Sequence, residues 1–150
     1  MDVFSPEKRS QVMSRIRSKD TKPEKIIRSI LHKLGFRFRI NRKDLPGKPD
    51  IVLPKYKTII FVHGCFWHQH EGCRIASNPK SNIDFWNKKF SNNIERDKKN
   101  QKALKKMGYR VFVIWECEVK FFLKNSDELR KMLLSDINYI FSLKQNHNDL

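Results

Sequence analysis

Acidic side chains are scarce in this chain. Among its 150 residues, 16 Asp and Glu stand against 32 Lys and Arg, leaving a net charge of +16. No apolar stretch approaches the length of a membrane-spanning helix, which argues against a transmembrane protein. The opening Met1-Asp2-Val3-Phe4-Ser5 carries neither an apolar signal core nor a cleavage site, so a cytoplasmic, nucleoid-associated protein is expected. Cysteines number three (Cys65, Cys73 and Cys117), an odd count that argues against a disulfide framework. In a reducing compartment such thiols stay free or bind metal. There is no internal repeat and no low-complexity segment, and the length suits one domain over residues 1–150. An apolar share of 39% still suffices for one core. The positive excess, accompanied by aromatics, points to a polyanion and hence to nucleic acid.

The patterning predicts a mixed α/β chain. Ser5-Pro6-Glu7 reads as a helix start. Residues 6–18 then carry Lys8, Arg9, Arg15 and Arg17 around few apolar positions, which suits a basic arm over residues 1–19 as well as it suits a solvated surface helix. Thr21-Lys22-Pro23-Glu24 opens a second helix whose Ile26, Ile27, Ile30, Leu31 and Leu34 share one face, stopped by Gly35. Phe36 to Ile40 alternates with period two, as a half-buried strand does. Asp50-Ile51-Val52-Leu53 and Thr58 to Val62 form a strand hairpin across Pro54-Lys55-Tyr56-Lys57. A long helix is expected from Ile83 to Met107, closed by Gly108, then a strand from Tyr109 to Trp115. Residues 119–150 are expected to be helical, with Leu129, Met132, Leu133, Ile137, Ile140 and Phe141 at helix spacing. The order describes a mixed sheet with helices on its faces.

Chemistry concentrates between Phe61 and Cys73, where three histidines, two cysteines and the adjacent rings of Phe66 and Trp67 follow an apolar strand. Upstream, Asp50 in Lys48-Pro49-Asp50 begins a rigid strand, a good position for a Mg2+ ligand. Restriction-type nucleases follow such a Pro-Asp strand with Glu-x-Lys; here the next strand offers Phe61-Val62-His63 instead. Phosphodiester hydrolysis needs a base for the water and a cation for the phosphate. His63 and His68 are candidates for base or phosphate contact, because imidazole titrates near neutrality. Cys65, His70, Cys73 and Cys117 make up a tetrahedral Zn2+ set with no open position, which suits a structural staple. Phe66 and Trp67, adjacent in a loop, suit insertion between base steps; for Trp86 taken alone, core packing is the better reading.

Assembled in order, these stretches resemble the very short patch repair (Vsr) endonuclease family. The resemblance rests on Asp20-Thr21-Lys22-Pro23-Glu24, Leu45-Pro46-Gly47-Lys48-Pro49-Asp50, Phe61 through His68, Phe85-Trp86 through Asn93-Ile94-Glu95-Arg96-Asp97, and Gly108 through Cys117. It spans roughly residues 7–118, with residues 20–118 as the catalytic core. The resemblance implies a restriction-endonuclease-like fold of the PD-(D/E)xK type. It implies Mg2+-dependent nicking of double-stranded DNA, 5′ to the thymine of a T:G mismatch left by deaminated 5-methylcytosine. It further implies that Asp50 and the Val62 carbonyl ligate Mg2+, that His68 is the general base oriented by Asp97, and that Glu24 and His63 hold metal-bound water or phosphate. Phe66, Trp67 and Trp86 would form a wedge at the mismatch, and the basic arm would clamp the opposite groove. Val62 stands where Thr often occurs. Two residues, Glu71 and Gly72, separate His70 from Cys73 where one is expected, and Gly72 is placed to absorb the difference.

A monomer acting on mismatched DNA is therefore expected, with mismatch-repair proteins and a cognate cytosine-5 methyltransferase system as candidate partners. Two alternatives stand beside it: a nicking or restriction endonuclease of the same fold that needs no mismatch, and a non-catalytic zinc-stabilised DNA-binding module.

Overall fold

The computed structural model describes residues 20–135. Arg15 and Arg17 of the basic arm, and the C-terminal Ile137, Ile140 and Phe141, lie outside the described residues. The elements follow as α1 (Lys22–Lys33), β1 (Arg39–Ile40), β2 (Ile51–Leu53), a 3-10 turn (Pro54–Tyr56), β3 (Thr58–His63), α2 (Ile83–Lys106), β4 (Arg110–Trp115), a second 3-10 turn (Glu116–Glu118), α3 (Val119–Lys124) and α4 (Ser126–Leu134). The four strands form one sheet in the order β1-β2-β3-β4. β1, β2 and β3 pair antiparallel, whereas β3 and β4 run parallel. A parallel neighbour needs a crossover rather than a hairpin, and α2 supplies it. Among the described residues, no helix is long and apolar enough to cross a membrane.

β3 is the spine, buried at all six of its positions. Its side chains alternate between two cores. Ile60 and Val62 join Ile27 and Leu31 of α1, Ile114 of β4, Phe122 of α3, and Leu129 and Leu133 of α4. Ile59 and Phe61 face the other way, onto Leu45, Val52 and Leu104 of α2, with Val111 and Val113 beside them. A strand covered on both faces must be apolar throughout, which accounts for the unbroken run that precedes His63.

Both major helices end as their sequences dictate. Thr21 Oγ1 accepts the Glu24 N–H at 3.4 Å, and the Glu24 carboxylate reaches back to the Asp20 N–H at 2.8 Å. That is a capping box whose return bond lands one residue before the cap. At the end of α2, Gly108 takes φ +93°, and the Tyr109 N–H closes onto the Leu104 carbonyl at 3.1 Å.

Two expectations need correcting. The strand over Phe36–Ile40 is confined to Arg39–Ile40. The Phe36 N–H is spent closing α1 onto the Leu31 carbonyl at 3.0 Å, and its ring turns into the core with an edge on Tyr56. The helical segment after Cys117 is two helices, broken at Asn125 (φ −130°, ψ 61°). The Asn125 side chain and backbone N–H both bond the Phe121 carbonyl, and its own carbonyl receives the Glu128 N–H. Such local side-chain bonding competes with helix continuation.

Candidate active site and metal centre

The β2–β3 hairpin places Asp50 against the end of β3. Asp50 Oδ2 accepts the Val62 N–H at 2.8 Å. Because a strand residue projects its N–H and C=O to the same side, the Val62 carbonyl faces this edge too. Burial pushes the Asp50 carboxyl up to about 7, against the pull of the Val62 N–H, and the Glu24 carboxylate adds to the rise. Glu24 comes from the first turn of α1 and is only 3% exposed. Its Oε2 also receives Arg28 Nη2 at 3.1 Å, while Arg28 Nη1 lies 2.8 Å from Asp20 Oδ1. A half-buried carboxylate beside a second acid and a strand carbonyl is a hard-oxygen donor set, and it fits Mg2+.

His63 and His68 come from the end of β3 and the turn after it. His68 Nδ1 lies 2.6 Å from Oδ2 of Asp97, which projects from α2. The two imidazoles stack face to face, centroids 3.8 Å apart and planes 5° from parallel. His63 is 5% exposed, and its Nδ1 meets no partner among the described residues. Burial drives its pKa down to about 4, and the neighbouring His68 adds to the fall, so the ring is neutral at pH 7. The ligand atoms of His63, His68 and Asp97 lie within 4.8 Å of one another. Stacked rings, however, hold their in-plane lone pairs side by side rather than converging on one ion. The trio suits proton handling and phosphate contact better than a shared metal.

A second cluster gathers Cys65, His70 and Cys73 from one loop and Cys117 from the turn after β4, with ligand atoms within 4.8 Å of one another. His70 Nδ1 lies 3.8 Å from Cys65 Sγ and 3.4 Å from Cys117 Sγ. The His70 ring stacks on Trp115 at 4.1 Å, which fixes its plane. Gly72, at φ +73°, makes the bend that lets Cys73 turn back after Glu71. Burial pushes the Cys65 thiol up to about 12, against the pull of the Cys117 N–H. A buried thiol of this kind ionises when a cation coordinates it, and three sulfurs with one imidazole fit tetrahedral Zn2+.

Phe66 and Trp67, between Cys65 and His68 in the chain, belong to an aromatic group. The Phe66 ring packs edge-on against Trp67 (5.2 Å), Trp86 (5.4 Å) and Phe90 (5.3 Å). Trp86 and Phe90 are buried on α2, whereas Phe66 and Trp67 are half-exposed. Trp86 thus supports the two rings from beneath. Asn93 Nδ2 donates to the Trp67 carbonyl at 3.0 Å, and Lys89 Nζ lies 5.5 Å from the Trp67 ring centre.

The structure therefore brings Asp50, Val62, Glu24, His63, His68 and Asp97 to the end of β3, and joins the Cys65, His70 and Cys73 loop to Cys117 in the turn after β4. Sequence reasoning passed over Arg28, Asn93 and Glu116, whose Oε1 accepts the Cys65 N–H at 3.3 Å. For Arg28 the signal was present, since it follows Glu24 by four residues on a helix.

Known proteins resemble this chain over most of its length. The family described as DNA mismatch endonuclease Vsr matches residues 1–74. The chain is 50% identical over 132 residues to the type II nicking enzyme V.XorIIP of Xanthomonas oryzae pv. oryzae, covering 88% of this chain and 96% of that protein. It is 55% identical over 119 residues to the type II nicking enzyme V.NmeAIP of Neisseria meningitidis, covering 79% and 84%. With the DNA mismatch endonuclease Vsr of Escherichia coli K12 it shares 39% identity over 127 residues, covering 85% and 81%. The chain belongs to the Vsr family of DNA mismatch endonucleases.

Proposed function

We propose that this DNA endonuclease nicks one strand of duplex DNA, 5′ to the thymine of a T:G mismatch left by deamination of 5-methylcytosine. The observation that carries the reading is that the Asp50 carboxylate bonds the Val62 N–H, one residue before His63, whose ring stacks on the Asp97-bound His68 in the turn that also carries Phe66 and Trp67. The antiparallel hairpin that begins at Asp50, flanked by the parallel β4, supports a restriction-endonuclease-like fold of the PD-(D/E)xK type. Residues 20–118 would be the catalytic core of a single domain that acts as a monomer.

Each side chain has a task that its bonds support. The Asp97 carboxylate accepts the Nδ1 proton of His68, which leaves Nε2 with the lone pair that takes a proton from the attacking water. Asp50 and the Val62 carbonyl would hold Mg2+, which when bound supplies positive charge for the phosphate. Glu24 would orient water at that site, and the neutral His63 would contact phosphate. Phe66 and Trp67, backed by Trp86, would enter the base stack, where a mismatch lowers the cost of unstacking. Cys65, His70, Cys73 and Cys117 would hold a structural Zn2+ that pins the turn carrying these rings to β4.

A second reading, nicking without a mismatch, draws support from the names of the Xanthomonas and Neisseria relatives. Strand-resolved nicking of otherwise identical duplexes carrying T:G, other mismatches or no mismatch, in several sequence contexts with Mg2+, separates the two. Nicking confined to the thymine strand of T:G duplexes is expected. Equal nicking of the matched duplex would favour the second reading, and no nicking in any context would remove both.

A further inference from the structure

Arg28 is a largely buried charge that the proposed reaction leaves unemployed. Its side chain is 13% exposed, and its guanidinium forks between two carboxylates, Asp20 Oδ1 at 2.8 Å and Glu24 Oε2 at 3.1 Å. Its Nε, also buried, has no partner among the described residues. Nothing in packing alone calls for a cation there. Arg28 follows Ile27 and precedes Ile30 and Leu31, all core residues, and an aliphatic side chain would suit the same helix face. Replacing a buried ion pair by apolar groups is often neutral or stabilising, so a pair of this kind is weak evidence of a stability role.

The geometry indicates what it fixes. Glu24 Oε2 takes two bonds, one from Arg28 and one from the Asp20 N–H at 2.8 Å. Asp20 is in turn held by Arg28 and by Asn41 Nδ2 at 3.1 Å. The Asn41 N–H bonds the Asp50 carbonyl at 3.2 Å. A continuous path of hydrogen bonds and chain thus runs from Arg28 through Asp20 and Asn41 to the residue that would hold the cation. A planar fork with two donor nitrogens can serve both carboxylates at once, whereas a single ammonium cannot reproduce that geometry.

We infer that Arg28 is a positioning residue for divalent-metal binding, holding the Glu24 carboxylate and the Asp20–Asn41 segment in register with Asp50. The inference rests on the reading of Asp50 and Glu24 as the cation site. Its consequence is that loss of the fork weakens metal binding without removing any proposed ligand, as happens when groups behind a metal's own ligands are lost.

The test is Mn2+ binding to the full-length protein without DNA, followed by electron paramagnetic resonance, together with the Mg2+ dependence of nicking. Arg28→Met and Arg28→Lys are compared with Asp50→Asn and Glu24→Gln, each with its melting temperature. Arg28→Met should weaken Mn2+ binding about 10-fold or more and shift half-maximal nicking to higher Mg2+ by a similar factor. The rate at saturating Mg2+ and duplex affinity in a chelator should be kept. Arg28→Lys should recover only part of the loss. Unchanged or tighter Mn2+ binding in a folded Arg28→Met protein, with Asp50→Asn impaired, would overturn the inference alone. Unchanged binding in Asp50→Asn as well would remove the cation site on which it rests. If Arg28→Met fails to fold, Arg28→Lys decides: wild-type Mn2+ affinity in that variant overturns the inference.

Discussion

His68 Nδ1 and Asp97 Oδ2 lie 2.6 Å apart, joining the turn after β3 to the middle of α2. An ionised Asp97 can only accept, so the bond favours the tautomer with the proton on Nδ1. It makes α2 the element that aims the ring, in addition to its role as the crossover between parallel strands.

Asp97→Asn should therefore damage chemistry and spare binding. An amide can present its N–H to Nδ1 and so reverse the tautomer. Single-turnover nicking should fall by about 10²- to 10⁴-fold, the span that general-base assistance supplies. Duplex affinity measured in a chelator should stay close to wild type. A fall in affinity that accounts for the whole loss would contradict the assignment.

The Asp50 carboxyl, held near 7 in the metal-free protein, should leave a mark on stability. Its folded pKa lies above the ordinary 3.8, so the folded state keeps a proton that the unfolded chain has already released. Native stability from this group is full below about pH 4 and is lost as pH rises through about 7. Asp50→Asn cannot lose that proton. Without divalent metal, its melting temperature should gain on the parent's between those limits and hold the gain above them. A difference that does not change with pH would contradict the burial argument.

Zinc content tests the Cys/His cluster. Cys117→Ser removes the proposed ligand that would tie the loop of Cys65, His70 and Cys73 to the end of β4. Elemental analysis should show about one zinc per wild-type chain and a clear loss in the variant, with a lower melting temperature. Wild-type zinc content in the variant would take Cys117 out of the ligand set.

The aromatic group should divide into two behaviours. Trp67 is half-exposed, so Trp67→Ala should keep the fold and lose ~1–3 kcal/mol of binding to the mismatched duplex, the usual worth of one ring against a base. Trp86 is buried against Phe66 and Phe90, so Trp86→Ala should in addition cost about 3–5 kcal/mol of stability. Equal thermal stability of the two variants would contradict the division into exposed rings and their support.

Much of the frame was legible because it rests on local rules. The Thr21–Glu24 cap, the apolar face of α1, the unbroken strand ahead of His63 and the glycine that ends α2 each follow from a few neighbouring residues. The Phe36–Ile40 segment misled because its alternation competes with the closure of α1, in which the Phe36 N–H is already engaged. The Asp20–Asn41 side of the Arg28 fork and the stacked imidazoles were invisible for another reason. Their partners meet through the fold: Asp20 joins Arg28 to Asn41 across 21 residues of chain, and His63 faces His68 only because the turn after β3 folds back.

The most direct test of the central claim compares Asp50→Asn with wild type on one T:G duplex, following single-turnover nicking in Mg2+ and duplex affinity in a chelator. If Asp50 holds the cation at the scissile phosphate, the variant binds the duplex as wild type does and leaves the thymine strand intact. Nicking by a folded Asp50→Asn protein at a rate near wild type would contradict the account.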